Sequence, residues 1–173
     1  MALPAEHKQL LLVNNGAADF DASGTYRYGA AFLPGGHLLL SAAEVGHQTV
    51  SLREIVADFD NDGMIGYWWH PEWVLFGRHI AADGLAIDQR QGPGQGIVGE
   101  FMHEDSTDFD MAPSLSEFIA KMADSLEAGT DFLLYRPTIK DDYLDWKVIV
   151  PGPARVTGTD GGRARGASIR YGG

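Results

Sequence analysis

Cysteine is absent from all 173 residues of the sequence. Disulfide scaffolds, cysteine-ligated zinc, iron–sulfur clusters and thiol nucleophiles are therefore excluded. A reducing cytoplasm is the expected location of a protein without cysteine. The longest aliphatic run covers only residues 10–13, far short of the ~20 apolar residues that a membrane span requires. The first residues contain no basic and apolar leader, so we expect no signal peptide.

Basic residues are scarce as well. The chain has 13 Lys and Arg against 24 Asp and Glu, a net charge of −11. Residues 1–150 alone carry −14, because the last 23 residues hold four arginines and a single acid. So acidic a domain repels phosphate backbones and anionic membranes, and we expect neither nucleic acid nor membrane as a partner. It would attract a basic protein, although acidity is also a common means of staying soluble.

Three Ser-x-x-Glu capping boxes, beginning at Ser41, Ser51 and Ser114, each predict the start of a helix. The third opens the clearest helix of the chain, which Gly129 is expected to end. A shorter helix is predicted over residues 3–15. The apolar stripe of the third capped helix consists of Leu115, Phe118, Ile119, Met122 and Leu126.

Strand patterns fill the centre of the chain, separated by short glycine-rich segments. Such neighbours should pair antiparallel, and helices that flank the strand block favour an α+β fold. We therefore predict a single domain over residues 1–150, with a central, mainly antiparallel twisted sheet flanked by helices. Residues 151–173 are predicted to form a flexible tail rich in Gly and Arg. The predicted strands are residues 37–40, 73–80, 85–89 and 97–104, with one or two more at 132–135 and 146–150.

Gly94, Gly96 and Gly99 match the spacing of the dinucleotide-binding fingerprint. That motif requires a helix after the glycines, so that the helix N-terminus faces the pyrophosphate. Here residues 97–101 continue as a strand pattern. A hairpin loop is therefore the better interpretation, and the sequence predicts no cofactor.

Asp58, Asp60 and Asp62 supply the first acidic positions of a calcium-binding loop, followed by Gly63. The bidentate glutamate expected at the twelfth position is missing, because Trp69 stands there. An acidic turn after a helix is the favoured interpretation. A weakly held cation, and with it a metal-dependent hydrolase using these aspartates or the acids of residues 104–110, is kept as an alternative.

Residues 103–110 hold four acids in a stretch that we expect to form an exposed loop between a strand and a helix. Residues 67–73 hold three of the four tryptophans. Trp73 is assigned to the core, and Trp68 or Trp69 is a candidate anchor for a protein partner, since tryptophan is enriched at binding hot spots. The candidate partner-binding residues are therefore Trp68, Trp69, Glu104, Asp105, Asp108 and Asp110.

Five segments, taken in order, resemble the SUKH superfamily, and in particular the branch related to the fungal cell-wall-synthesis regulator. The resemblance covers the chain from Leu3 to about Leu126. The five segments are residues 3–11 with Asn15 and Gly16, residues 69–76, residues 83–88, residues 92–103 and residues 112–118.

This resemblance implies an α+β fold with a central antiparallel sheet and a non-enzymatic binding role. Bacterial members of the superfamily are regarded as immunity proteins that neutralise partner toxins, and the fungal member acts as a regulatory scaffold. We therefore expect an immunity-type module that neutralises a basic toxin, with a regulatory scaffold as the alternative. The resemblance supplies no catalytic residues, and the oligomeric state stays open.

Overall fold

The computed structural model describes residues 3–17, 23, 27–59 and 63–149. Residues 151–173, for which the sequence predicts a tail, lie outside the described residues, as do Asp60 and Asp62. The helices are α1 (Ala5–Val13), α2 (Ala42–Asp58) and α3 (Leu115–Ala128). The strands are β1 (Leu38–Leu39), β2 (Trp73–Arg78), β3 (Gly84–Asp88), β4 (Val98–Phe101), β5 (Asp108–Ala112), β6 (Tyr135–Lys140) and β7 (Tyr143–Val148).

Strands β1 to β5 form one sheet in sequence order, and every neighbouring pair is antiparallel. Strands β6 and β7 form a separate antiparallel hairpin. The predicted single-domain α+β fold with an antiparallel sheet is confirmed. Within the described residues, no helix is both long and apolar enough to cross a bilayer.

The sheet has an apolar core on each face, because successive side chains of a strand point to opposite faces. On one face Phe76 of β2 packs against Phe118 of α3, with ring centres 5.8 Å apart. The hairpin closes this core, since Trp146 donates a hydrogen bond of 2.9 Å from Nε1 to the Phe32 carbonyl. On the other face α2 and three tryptophans cover Phe101.

Two of the three predicted capping boxes begin helices. The Ser41 hydroxyl accepts from the Glu44 N–H and the Glu44 carboxylate accepts from the Ser41 N–H, which completes a capping box at α2. The Ser114 hydroxyl accepts from the Glu117 N–H at the start of α3. Gly129 ends α3 with a positive φ of 63°.

The capping box predicted at Ser51 is wrong, because Ser51 lies inside α2. A capping side chain needs backbone N–H groups that lack helical partners, and these exist only in the first turn of a helix. The buried stripe of α2 passes through this point without interruption, from Val45 and Thr49 to Leu52 and Val56.

The segment expected to be an exposed acidic loop is partly a strand. Its second half is β5, which lies at the edge of the five-stranded sheet. In this strand Phe109 packs toward the tryptophan core and Met111 toward the core under α3. Side chains two residues apart on a regular strand share a face, so the bulge in β5 accounts for the opposite directions of these two.

The glycine-rich segment connects β3 to β4, and the chain continues from it as strand β4 rather than as a helix. This is the hairpin that the sequence predicts. Gly99 has a separate role in β4, because β5 bulges toward it: Val98 pairs with Ala112, whereas Glu100 pairs with Asp108. A Cβ atom on Gly99 would collide with the Asp108 carbonyl oxygen.

Candidate partner-binding surface

The acidic segment begins with a loop that Trp68 holds at both ends. The indole Nε1 of Trp68 donates to the His103 carbonyl at 2.7 Å. The Thr107 hydroxyl donates to the Trp68 carbonyl at 2.7 Å, and the Thr107 N–H donates to the Tyr67 carbonyl at 3.1 Å. Both ends of residues 103–107 are therefore fixed to one aromatic residue and its neighbour.

Further hydrogen bonds shape the loop between these two ends. The Asp83 carboxylate accepts from the His103 N–H at 2.8 Å. The Asp105 N–H donates to the Met102 carbonyl at 3.2 Å, and the Asp105 carboxylate accepts from the Ser106 N–H at 2.7 Å. A loop ordered in this way loses little conformational entropy when a partner binds it.

Four carboxylates on this loop and on β5 point into solvent. We name them the acidic surface: Glu104, Asp105, Asp108 and Asp110. Within the described part of the chain, none of the four has a Lys or Arg nitrogen within 4.0 Å. Other acids do have such partners, in the pairs Asp88–Arg90, Glu117–Lys121 and Asp131–Arg136.

The two tryptophans predicted as candidate anchors are buried, and this part of the expectation is corrected. Trp68 is 7% exposed and Trp69 is 0% exposed. Their rings pack edge-on against Phe101, with ring centres 5.1 and 5.3 Å from it. Neither indole offers a surface to a partner, since both are needed to cover the β4 side of the sheet. Trp68 supports the acidic surface from beneath instead.

A second group of polar side chains lies next to the acidic surface, and sequence reasoning did not find it. Glu100 of β4 is half-buried, and the Tyr135 hydroxyl donates a hydrogen bond to its carboxylate. Burial, with the nearby charges of Asp83 and Asp110, raises the pKa of Glu100, and the Tyr135 hydrogen bond only partly opposes this. Burial, followed by the Glu100 charge, raises the pKa of Tyr135 to about 12.

His37 lies behind Glu100, with its side chain only 3% exposed. Its Nδ1 is 2.7 Å from the Pro34 carbonyl. A carbonyl can only accept, so Nδ1 carries the proton and Nε2 of the neutral ring is an acceptor. Burial lowers the pKa of His37 to about 4. The 3.8 Å approach of Nε2 to the Glu100 carboxylate is therefore not an ion pair at neutral pH.

Glu100, Tyr135 and His37 come from three separate segments, so no local pattern could unite them. The available signal was the position of Glu100, a single acid between Gly99 and Phe101 in a strand that is otherwise apolar or glycine. An isolated acid in such a strand is an unusual feature, because buried charges need partners.

Within the described residues, the acids proposed as metal ligands are not grouped into a cluster. Asp58 ends α2, while Asp60 and Asp62 lie outside the described residues. Among the residues that the structure describes, no three His, Asp or Glu side chains are grouped closely enough to hold a metal ion.

A comparison with protein families supplies the identity of the fold. The model of the SMI1/KNR4 family (SUKH-1) matches residues 1–121, which includes the sheet, the acidic surface and the first half of α3. A comparison with curated proteins found no match.

Proposed function

Because the chain belongs to the SMI1/KNR4 family (SUKH-1), we propose that it is a non-enzymatic, cytoplasmic protein-binding module of the immunity type, which neutralises a basic toxin. The observation that carries this proposal is the acidic surface. Four exposed carboxylates lie within residues 104–110 there, without a neighbouring Lys or Arg among the described residues. Such a surface complements a protein that is positively charged at its own active site.

A toxin that acts on nucleic acid must be basic where it grips phosphate. A protein with clustered carboxylates can occupy that site, and long-range attraction mainly raises the association rate. The ordered loop adds preorganisation, since Trp68 and Asp83 already hold its backbone. Tyr67 and Met102 are exposed beside the loop, and they replace the buried indoles as apolar contacts that slow dissociation.

The test uses a candidate toxin encoded beside this protein and measures association rates over a range of salt concentrations. Asp105, Asp108 and Asp110 are changed together to Asn. We expect the association rate at low salt to fall roughly tenfold and its salt dependence to flatten. The matched control changes three exposed acids elsewhere, Asp124→Asn, Glu127→Gln and Asp141→Asn. Equal effects of the two triple variants, or an association rate indifferent to salt, would contradict the proposal.

The family match is equally compatible with a regulatory protein. A regulatory scaffold would use the same acidic surface toward a partner that is not toxic. The two functions are distinguished by expressing the binding partner in cells that lack this protein. Loss of growth that this protein restores supports the immunity function, and unchanged growth supports the regulatory one.

A further inference from the structure

A cleft of about 410 Å³ opens between the edge of the sheet and the turn that precedes β6. It adjoins the acidic surface, because Asp110 belongs to both. Its floor is polar and its walls are largely apolar. The lining residues are Glu100, Asp110, Met111, Leu133, Leu134 and Tyr135.

The floor of the cleft presents hydrogen-bond acceptors without a cation. The Glu100 carboxylate accepts from Tyr135, and within the described residues no Lys or Arg nitrogen lies within 4.0 Å of it. Nε2 of His37 points at the same carboxylate, is buried, and has no hydrogen-bond partner among the described residues. A donor that enters the cleft would meet the Glu100 carboxylate, whereas Nε2 of His37 lies behind that carboxylate and offers it no proton.

The outer wall is a two-residue turn formed by Leu133 and Leu134. Phe132 and Tyr135 close it with two backbone hydrogen bonds of 2.8 and 2.9 Å. Leu133 has a φ of 53°, a conformation rare for leucine. Leu133 and Leu134 are nevertheless 45% and 59% exposed, so this turn presents an aliphatic surface directly beside the carboxylates.

We propose that this cleft receives an arginine side chain of the basic partner, with the guanidinium against Glu100 and Asp110 and the aliphatic stem along Leu133 and Leu134. This inference rests on the proposed function, since it names the group by which the partner is held. The charges are complementary, and the acceptors are spread over two carboxylates. A planar guanidinium with five donors serves several acceptors at once and is less strongly hydrated than an ammonium, which favours arginine over lysine.

The test needs no identified partner. The full chain is titrated with Nα-acetyl-L-arginine methylamide, and amide signals are followed by NMR. We expect the Met111 and Leu134 signals to shift in a saturable way. The corresponding citrulline compound has the same shape without the charge, and it should leave these signals unmoved. The lysine compound should bind several-fold more weakly.

Glu100→Gln tests the floor of the cleft directly. Burial raises the pKa of the Glu100 carboxyl, which means that the site disfavours the charged form. The neutral amide of glutamine should therefore not unfold the protein. We expect binding of the arginine probe to weaken about tenfold, since a charge-assisted hydrogen bond is lost. Glu127→Gln on α3 is the matched control and should bind as the wild type does. Equal binding of the citrulline or lysine compound, or an unchanged affinity in Glu100→Gln, would overturn the proposal.

The chain's own arginines are the competing occupant. The Ile149 N–H donates to the Leu134 carbonyl at 2.7 Å, so the described part of the chain ends beside the cleft. The four arginines, all outside the described residues, are changed together to Gln in the full chain. We expect probe binding to change less than about twofold, whereas a tenfold gain would show self-occupancy and overturn the assignment to a partner. The arginines concerned are Arg155, Arg163, Arg165 and Arg170.

Failure of this inference is distinguishable from failure of the proposed function. If the acidic-surface variant slows association with the toxin while Glu100→Gln changes neither toxin nor probe binding, only the arginine cleft is wrong. If the probe binds as expected while the association rate with the toxin changes neither with salt nor in the acidic-surface variant, the arginine cleft is supported and the proposed function fails.

Discussion

The sheet face under α3 and the acidic surface at the β5 edge are held together by different interactions. Under α3, Phe118 contacts both Phe76 and Phe132, with ring centres 5.8 and 5.3 Å away. Beneath the acidic surface, hydrogen bonds donated by Trp68 and Thr107 and one accepted by Asp83 hold the loop. The first region depends on apolar burial and the second on specific donors and acceptors, so stability and recognition should be separable by mutation.

The largest expected effect is on the α3 face. Phe118 is fully buried, and Phe118→Ala should lower the free energy of unfolding by ~3–5 kcal/mol, through lost burial and the cavity left behind. Leu126 on the same helix is the control, since the structure leaves it partly exposed rather than in the predicted stripe. Leu126→Ala should cost less than about 1 kcal/mol in chemical denaturation. A similar cost for both would mean that α3 does not pack as described.

Acidification should weaken the two regions through one buried histidine each. His7 packs edge-on against Phe76, and His37 lies behind Glu100. Burial lowers the pKa of each to about 4 from an ordinary 6.5. The unfolded chain therefore binds more protons between these values, and stability falls as pH drops from about 6.5 to about 4. Each histidine should account for about 3 kcal/mol over that window.

Denaturation curves at several pH values measure this effect. His7→Leu should remove the part of the change in unfolding free energy with pH that His7 contributes. His47→Gln, at an exposed site on α2, is the control and should leave this pH dependence as it is in the wild type. Glu100 acts in the opposite sense, because its raised pKa makes the folded state hold a proton that the unfolded state has released. In the Glu100→Gln variant, the free energy of unfolding should therefore fall more steeply as the pH drops. An identical slope in His7→Leu and His47→Gln would contradict the assignment.

A smaller effect is expected from the indole that supports the loop. Trp68→Phe keeps an aromatic ring in the core but removes the donor to the His103 carbonyl, which should cost about 1–2 kcal/mol. Trp146→Phe is a close control, because Trp146 is equally buried and donates in the same way to the Phe32 carbonyl.

The two variants differ in what they should do to recognition. We expect Trp68→Phe, and not Trp146→Phe, to speed hydrogen exchange of the amides of residues 103–107 and to slow association with the basic partner. Unchanged exchange in Trp68→Phe would mean that the other bonds of the loop are sufficient and that the indole is only a core residue.

The same contrast explains what the sequence could and could not predict. Periodicity predicted α3, because burial of one face imposes a regular spacing. Strands β2 to β4 were predicted from short apolar runs between glycine-rich segments, since these strands are mostly buried on both faces. The sequence pattern missed β5, since this strand carries the exposed acids Asp108 and Asp110 and its bulge sends Phe109 and Met111 to opposite faces of the sheet. It also offered Trp68 as an exposed anchor, because an indole that supports a loop and one that binds a partner look alike in sequence.

The smallest expected effect concerns divalent cations, for which the sequence kept an alternative at the aspartates after α2 and at residues 104–110. The acidic surface has no third ligand grouped with its carboxylates among the described residues, and the position of the bidentate glutamate is taken by Trp69, which is fully buried.

A ligand that binds only the folded state raises the melting temperature. We expect millimolar calcium, magnesium or manganese each to shift it by less than about 1 °C, with sodium chloride of equal ionic strength as the control, because carboxylates that are not grouped interact with a cation mainly through weak screening. A saturable rise of several degrees with one cation, abolished by Asp58→Asn but not by Glu127→Gln, would establish a metal site and reopen the hydrolase alternative.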